Sequence, residues 1–298
     1  MLDVRRLEVL AAAVRLGSLA AAARQLGLTP GAASQAIRAL EAQAGLALLE
    51  RLPRGVRPTP AGERLAAQAE AILRTLQRAE GELAGEHAQL VRLAAFPTAV
   101  IGLVPRLLAR LRSRAPELEL RVLELEPAAG RAALRAGECE LALVNHYSLL
   151  TPDLHGPWQV SHLRDEPVLA ALPREHPLAG RASVSIHQLS EDPWITQQPA
   201  SPCQEIVQQV CASAGFAPRV AATCSDYRSI LALVGAGHGV SLIPELALTG
   251  IRTSGLVLLP TRPGTRRRIN ALTSNRPGSL PGTRTVLDAL LENERQPD

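Results

Sequence analysis

The chain has 298 residues, of which 46% are apolar and 2% aromatic, and its formal net charge is +4. This length suffices for two or three domains with separate cores, and no apolar run approaches the about 20 residues that a membrane-spanning helix needs. The first ten residues lack the apolar block of a secretory signal, so we expect a cytoplasmic protein that binds no membrane.

Positive charge is concentrated at the N-terminal end of the chain. Residues 1–64 contain nine arginines and five acidic residues, whereas residues 65–298 contain 23 of each, and the chain has no lysine. An excess of arginine confined to one segment is typical of a module that binds nucleic-acid phosphates. We therefore expect the first fifth of the chain to contact DNA.

The first helices can be located from caps and periodicity. Apolar residues recur at helical spacing over residues 2–16, and Ser18 is a good cap for a second helix at 20–26. Thr29 caps a third helix, with Pro30 at its first position, where a missing N–H costs nothing. Two short helices joined by a tight turn are typical of a helix-turn-helix, whose second helix lies in the major groove of DNA.

The third helix has one apolar and one polar face. Its apolar side chains fall within about 100° of one another at about 100° per residue; they are Ala33, Ala36, Ile37 and Leu40. The opposite face carries Gly31, Ser34, Gln35 and Arg38. The amide of Gln35 matches an adenine edge, Ser34 reaches a base or a phosphate, and Arg38 binds phosphate. The alternative is a solvated surface, which the capped turn and the local positive charge disfavour.

Residues 46–65 predict a β-hairpin wing. Three arginines are interleaved with Pro and Gly in this segment, and we expect them to lie on the DNA backbone or in the minor groove. The alternative is a plain basic loop. The expected DNA contacts are Ser18, Thr29, Pro30, Gly31, Ser34, Gln35, Arg38, Arg51, Arg54 and Arg57.

A long helix is predicted from Thr59 and Pro60 to about His87. It carries one narrow apolar stripe, formed by Leu65, Ala69, Ile72, Leu76, Ala79 and Leu83. A single stripe on a helix between domains needs a partner, and a second copy of the helix is the simplest one. The alternative is that the stripe packs on its own chain.

Strands and helices alternate from residue 89 onward. Strands are predicted at 89–95, 118–125, 140–144, 168–172, 194–195, 220–224, 240–243, 256–259 and 269–274. Helices are predicted at 99–114, 128–136, 203–214, 227–236 and 283–293. This alternation is typical of a mainly parallel sheet with helices on both faces. A double crossover of the chain would divide it into two α/β lobes with a cleft between them.

These features together resemble the LysR-type transcriptional regulators over nearly the full chain. The resemblance is carried by the AAxxLGLTPxAxSQxIxxLE core at 22–41, LLER at 48–51, TPAGERL at 59–65, HPLA at 176–179 and GAGHGVSLIP at 235–244. One departure is LALL at 46–49, where the family often has Phe, but one apolar residue replaces another. The GAGHG stretch fits neither phosphate-binding motif, so we interpret it as a backbone turn.

The resemblance implies a fold of mixed α+β and α/β class. We expect a winged helix-turn-helix domain at 1–58, a linker and dimerisation helix at 59–88, and an effector-binding domain at 89–298. The last resembles periplasmic binding proteins, with lobe I at about 89–163 and 266–298 and lobe II at about 164–265. The expected partners are double-stranded DNA, a small-molecule effector, further copies of the chain in a homodimer or homotetramer, and RNA polymerase.

Effector contacts are expected where strands end and helices begin, since ligands of open α/β sheets bind there. The family often places an effector-touching Ser or Thr at the position of Thr98, which is alternatively only a helix cap. His146 is a further expected contact, for which the alternative is a purely structural role. Asp226 is expected to stabilise the N-terminus of its helix through the helix dipole. Where it faces the cleft, it favours a cationic group on the ligand. The full set is Thr98, Ala99, Asn145, His146, Thr196, Gln197, Ser225 and Asp226.

The four cysteines raise one alternative function. Cys139, Cys203, Cys211 and Cys224 form no CxxC pair, so we expect no metal, no cofactor and no structural disulfide. Peroxide-sensing members of the family carry a cysteine pair near the position of Cys203 and Cys211, which leaves a thiol-based sensor as the alternative. An enzyme or a solute-binding protein is less favoured, because no catalytic constellation is present and export would need a signal peptide.

Overall fold

The computed structural model describes residues 2–52, 55–83, 89–150, 154–199, 201–274 and 281–295. Arg54, one of the expected DNA contacts, lies outside these residues. The chain divides into two compact units, of which the first comprises residues 1–88 and 135–138 and the second 89–134 and 139–298. No helix in the described ranges is long and apolar enough to cross a bilayer.

The first unit contains four helices and a two-stranded hairpin. Its elements are α1 (Val4–Leu16), α2 (Leu19–Gln25), α3 (Pro30–Ala44), β1 (Leu49–Leu52), β2 (Gly55–Pro58) and α4 (Pro60–Leu83). The predicted caps are confirmed, because the Ser18 and Thr29 hydroxyls accept N–H bonds from Ala21 and Ala32. The apolar faces of these elements meet in one core, which includes Leu7, Leu10, Ala33, Ile37, Leu40 and Leu48.

Residues 59–62 determine where α4 begins. The Thr59 hydroxyl donates to the Ala47 carbonyl at 2.8 Å and accepts from the Gly62 N–H at 3.0 Å. Gly62 lies so close to the start of the wing that an added Cβ would be 1.9 Å from the Leu48 carbonyl oxygen. Two features of the TPAG part of the TPAGERL motif therefore hold the wing against α4. The Thr59 hydroxyl bonds to both, and the absence of a side chain at Gly62 lets them approach closely.

The second unit is built on a seven-stranded mixed sheet. The strands of this unit are β3 (Gln89–Ala95), β4 (Leu118–Glu124), β5 (Leu141–Tyr147), β6 (Trp158–Pro173), β7 (Val184–Ser185), β8 (Pro193–Gln197), β9 (Arg219–Cys224), β10 (Ser241–Pro244) and β11 (Leu256–Ser274). The strand order in the sheet is β10-β6-β11-β5-β3-β4, with β7 paired to β11, while β8 and β9 form a separate parallel pair. The helices are α5 (Pro97–Gly102), α6 (Val104–Arg114), α7 (Pro127–Ala136), α8 (Pro202–Ser213), α9 (Tyr227–Gly235) and α10 (Pro281–Arg295).

Two strands are much longer than predicted. Strand β6 has 16 residues and β11 has 19, and they pair antiparallel with a register shift between Pro260 and Thr265. The prediction of short separate strands at 256–259 and 269–274 was wrong. The polar segment between them interrupts the apolar pattern, but Thr261 and Arg262 pair with β7 and pairing with β6 resumes at Thr265. Each long strand passes through a predicted lobe boundary, at 163/164 in β6 and 265/266 in β11.

Other differences are local. The single helix predicted at 99–114 is two helices, α5 and α6, and Pro105 lies in the first turn of α6 because it cannot donate an N–H to an earlier turn. The HPLA motif forms a turn in which the His176 Nδ1 accepts from the Leu178 N–H at 3.1 Å, while the His176 Nε2 lies 3.2 Å from Asp192 Oδ1. The GAGHG segment is a loop between α9 and β10, as predicted.

Candidate nucleic-acid interface and ligand cavity

Helix α3 buries its apolar face and exposes its polar face. Ala33, Ile37 and Leu40 are buried in the core of the first unit. Gln35 and Arg38 are exposed and Ser34 is half-buried. Because the side of the helix that carries Ser34 and Gln35 is open to solvent, it is accessible to base edges in a major groove.

The first turn of α3 is also exposed. Thr29, Pro30 and Gly31 are all solvent-accessible, and they lie at the helix N-terminus, where unpaired N–H groups favour phosphate. Ser18 is half-buried at the start of α2, and its hydroxyl already accepts the Ala21 N–H. The Ser18 hydroxyl acts as an acceptor in this bond, so its proton is not used by the cap.

The predicted wing is a two-stranded antiparallel hairpin, β1 and β2. Arg57 lies directly opposite Glu50, and its Nη2 is 2.6 Å from Glu50 Oε2. Arg57 is therefore paired with a carboxylate, which the sequence analysis did not foresee. Arg51, at the neighbouring position of β1, is exposed as Arg57 is, and among the described residues it has no carboxylate partner.

A cavity of about 300 Å³ lies in the second unit. Residues from both predicted lobes line it, and this volume suits a small metabolite rather than a large ligand. Five predicted effector contacts belong to the cavity wall: Thr98, Asn145, Gln197, Ser225 and Asp226. Side chains that the sequence analysis missed complete the wall: Phe96, Pro97, Ile101, Glu124, Glu126, Tyr147, Pro202, Cys203, Tyr227, Arg228, Ala247, Ile251 and Arg267.

Three predicted contacts lie elsewhere. Ala99 is buried within α5, and its N–H donates to the Phe96 carbonyl at 2.9 Å, so it has no donor left for a ligand. The Thr196 hydroxyl is buried and donates to the Gln197 carbonyl at 3.0 Å, outside the cavity wall. His146 lines a neighbouring cavity of about 480 Å³, and burial, followed by the nearby charge of Arg268, lowers its pKa.

Arg267 forms the buried polar centre of the cavity wall. Its side chain is almost fully buried, its Nε lies 2.5 Å from Glu166 Oε1, and its Nη2 donates to the Thr98 hydroxyl at 3.0 Å. The guanidinium also lies over the Phe96 ring, with its Cζ 5.3 Å from the ring centroid. Glu166 is fully buried and also accepts the Leu246 N–H at 2.7 Å. Thr98 is therefore held by Arg267 and does not cap α5.

Arg267 was missed because it is the middle residue of an Arg-Arg-Arg run that looks like surface charge. Strand alternation is the signal that identifies it: Thr265, Arg267 and Ile269 are buried, whereas Arg266 and Arg268 are exposed.

Two tyrosines and a thiol lie next to Arg267. The hydroxyl oxygens of Tyr147 and Tyr227 are 3.4 Å apart, and both rings are buried. Burial raises the pKa of Tyr147 to about 12 and the pKa of Tyr227 well above its usual value. Burial also raises the pKa of Cys203. All three groups are therefore protonated at neutral pH and present neutral hydroxyl and thiol groups to the cavity.

Acidic side chains lie at the exposed part of the cavity wall. Glu124 ends β4, Glu126 lies two residues after it, and Asp226 precedes α9. Asp226 caps α9 by accepting the Ser229 N–H, and this hydrogen bond is the main reason that the pKa of Asp226 is lowered. Burial raises the pKa of Glu126. Asp226 thus combines the two roles considered from the sequence, namely a helix cap and an anionic group that faces the cavity.

Two family models match this chain. The LysR substrate binding domain matches residues 84–295, and the bacterial regulatory helix-turn-helix protein of the lysR family matches residues 4–63. The probable HTH-type transcriptional regulator LrrA of Synechococcus elongatus is 32% identical over 256 residues, which are 84% of this chain and 83% of that protein. A probable hydrogen peroxide-inducible genes activator of Mycobacterium avium is 32% identical over 231 residues, or 76% of this chain and 73% of that protein.

Solved structures share the fold. A full-length OxyR variant from Pseudomonas aeruginosa superimposes with a TM-score of 0.71 at 23% identity, covering 99% of this chain and 95% of that one. CbnR, a LysR family transcriptional regulator, gives a TM-score of 0.67 at 21% identity and covers 99% and 100%. Together with the two family models, these similarities show that the chain belongs to the LysR family of transcriptional regulators, with a helix-turn-helix DNA-binding domain and an effector-binding domain.

Proposed function

We propose that this regulator is cytoplasmic and changes its hold on operator DNA when a small molecule occupies the 300 Å³ cavity. The supporting observation is that one cavity has walls from both lobes, with limits near 89–163 and 266–298 for lobe I and 164–265 for lobe II. A ligand that contacts both lobes favours one lobe arrangement over another and so shifts an existing equilibrium. The role is binding, so the ligand is recovered from the complex chemically unchanged.

The proposed DNA contacts divide into two groups. Ser34 and Gln35 read bases, because they occupy the exposed face of α3. The first turn of α3, Arg38 and the wing contact DNA phosphates, and these contacts position the protein on the duplex. Of the wing arginines, Arg51 binds phosphate directly, whereas Arg57 first exchanges its bond to Glu50 for one to DNA.

The proposed assembly is a homodimer or a homotetramer that forms through α4. Its helix-turn-helix modules then reach half-sites spaced by one or more turns of DNA, about 10 base pairs each. A change of lobe arrangement alters the spacing of these modules along the duplex, and we propose that contact with RNA polymerase converts this change into altered transcription.

A mobility-shift assay with duplex DNA from upstream of the regulator's own gene tests the DNA-binding part. Gln35→Ala should change the preferred base at one operator position. Arg51→Ala should weaken all sequences alike and reduce the slope of log affinity against log salt by about 0.9. Arg112→Ala, which removes an exposed arginine from α6, is the control and should change neither. A change of base preference in Arg51→Ala, or no effect in Gln35→Ala, would contradict the assigned roles.

A further inference from the structure

The cavity has donors at its buried end and acceptors at its exposed end. Arg267 has five N–H groups, of which Glu166 and Thr98 take one each and the Tyr147 hydroxyl a third, so two N–H groups remain for a ligand. The Thr98 hydroxyl accepts from Arg267, which leaves its proton free to be donated as well. The buried end is therefore suited to a carboxylate.

The exposed end has the opposite character. Glu126 of lobe I and Asp226 of lobe II both line the cavity beside Arg228, and neither carboxylate forms an ion pair within the described residues. The Asp226 carboxylate accepts from the Ser229 N–H and from the Ser225 and Ser229 hydroxyls, and a carboxylate has about four acceptor sites, so one remains for a ligand. The Asn145 Oδ1 atom, on the same wall, is buried and has no hydrogen-bond partner there. A ligand group that donates several hydrogen bonds and carries positive charge fits these acceptors.

We propose that the effector is a small amphoteric molecule, with its carboxylate on Arg267 and Thr98 and its ammonium group between Glu126 and Asp226. This inference rests on the proposed function and specifies the chemical class of its ligand. A simple carboxylate would leave the acidic end facing a like charge or an apolar group. A simple amine would leave the donors of Arg267 buried and unpaired. Phe96, Ile101 and Ile251 supply the apolar wall for the body of the ligand.

The same arrangement explains how a ligand changes the lobes. Glu126 and Asp226 belong to different lobes, and in the unliganded protein two carboxylates facing one cavity disfavour its closure. An ammonium group that both carboxylates contact reverses this effect, so it binds the closed arrangement better than the open one.

The test is the thermal stability of the full chain with three matched sets of compounds. Each set has an amino acid, the amine without its carboxylate and the acid without its amine. They are L-phenylalanine, phenethylamine and 3-phenylpropanoate; L-leucine, 3-methylbutylamine and 4-methylpentanoate; and 5-aminopentanoate, pentylamine and pentanoate. At least one amino acid should raise the melting temperature, by more than its matched amine and acid do. Calorimetry then measures its affinity.

Charge-removing variants locate the ammonium group. Glu126→Gln and Asp226→Asn should each weaken the binding of the amino acid about tenfold or more, because a hydrogen bond to a charged group is worth about 1.5–3 kcal/mol. Asn still caps α9. Glu117→Gln removes the same charge from an exposed residue outside the cavity wall and should leave the affinity unchanged.

Four outcomes overturn the inference: a larger shift with an acid, a larger shift with an amine, no shift with any compound, or unchanged affinity in both cavity variants. A larger shift with an acid that also alters DNA binding would keep the proposed function and reject only the amphoteric ligand. If the unliganded chain does not bind the upstream DNA, the proposed function itself is rejected.

Discussion

Arg267 shows how much one buried side chain does in this fold. Its partner carboxylate, Glu166, is separated from it by 101 residues along the chain, and Thr98 is separated from it by 169. Both charges are buried, so the desolvation cost of each ion is repaid only because the geometry is close and further hydrogen bonds satisfy Glu166. Arg267 therefore ties β6, β11 and α5 together at the wall of the cavity.

Gly62 carries a prediction at the residue scale. Gly62→Ala should destabilise the first unit by about 1–3 kcal/mol, because the new methyl group would overlap the Leu48 carbonyl and force the wing away from α4. Chemical denaturation of the full chain, followed by circular dichroism, measures the change. Gly31→Ala is the matched control: nothing lies within 4 Å of its Cβ, so it should be neutral or stabilise by up to about 1 kcal/mol. Equal stability losses in the two variants would contradict the steric account.

At the scale of elements, α4 has two different halves. Leu65 and Ala69 pack into the core of the first unit, so the alternative, that the stripe packs on its own chain, holds for this half rather than the expected contact with a second copy. Ile72 and Leu76 are 45% and 42% exposed. The side chains of Ala79 and Leu83 lie outside the described residues. An exposed apolar pair next to a packed half is typical of a helix that completes its core in an oligomer.

Ile72→Arg should therefore weaken self-association at least tenfold without unfolding the chain, since an unpaired charge would be buried in the contact. Analytical ultracentrifugation across a concentration series measures this change. Ala67→Arg places the same charge on the opposite, exposed face of α4 and should associate normally. If Ile72→Arg retains the wild-type assembly, α4 is not the contact between copies.

Helix α8 bears on the redox alternative. Cys203 and Cys211 are eight positions apart on one continuous helix, which separates their Cα atoms by about 12 Å, whereas a disulfide needs about 7 Å or less. Burial raises the pKa of the Cys211 thiol to about 12 and also raises the pKa of Cys203. Because the thiolate is the form that peroxide oxidises, both cysteines should react slowly.

We therefore expect that Cys203→Ser and Cys211→Ser leave the effect of peroxide on DNA binding unchanged from that in the wild type. Mobility shifts with and without hydrogen peroxide test this, and mass spectrometry of the treated protein measures the oxidation of each thiol. A disulfide between Cys203 and Cys211, or a peroxide response that either variant abolishes, would establish the sensor and require α8 to unwind.

At the scale of the whole molecule, the buried acids should limit stability at alkaline pH. Burial raises the pKa of Tyr147 from 10.0 to about 12 and that of Cys211 from 9.0 to about 12. Between these values the unfolded chain loses protons that the folded chain keeps, so the stability that these groups contribute is complete below about pH 9 and is lost towards pH 12.

Urea unfolding at intervals from pH 8 to pH 11 should accordingly show a falling free energy of unfolding above pH 9. Tyr147→Phe removes one ionisable group at nearly constant volume, so its free energy should fall less steeply above pH 10. Comparing slopes rather than absolute values removes any constant packing effect of the substitution. Identical slopes in the two proteins would show that Tyr147 does not carry the effect.

The sequence by itself determined the N-terminal module and the alternating order of the effector-binding domain. Caps such as Ser18 and Thr29 act on N–H groups three residues away, and the apolar face of α3 repeats within two turns. Such signals are complete within a short window of the chain, so they can be interpreted without knowing what packs against them.

Only the tertiary structure decided the composition of the cavity and the length of the crossing strands. Arg266, Arg267 and Arg268 are chemically identical, and their different roles follow from which face of β11 meets Glu166 and Thr98. The same holds for Thr98 and Thr196, for which the sequence predicts the same role, although Thr98 faces the cavity and Thr196 does not. Contacts between residues more than 100 positions apart place Arg267 in the cavity wall, and strand alternation identifies it only once the extent of β11 is known.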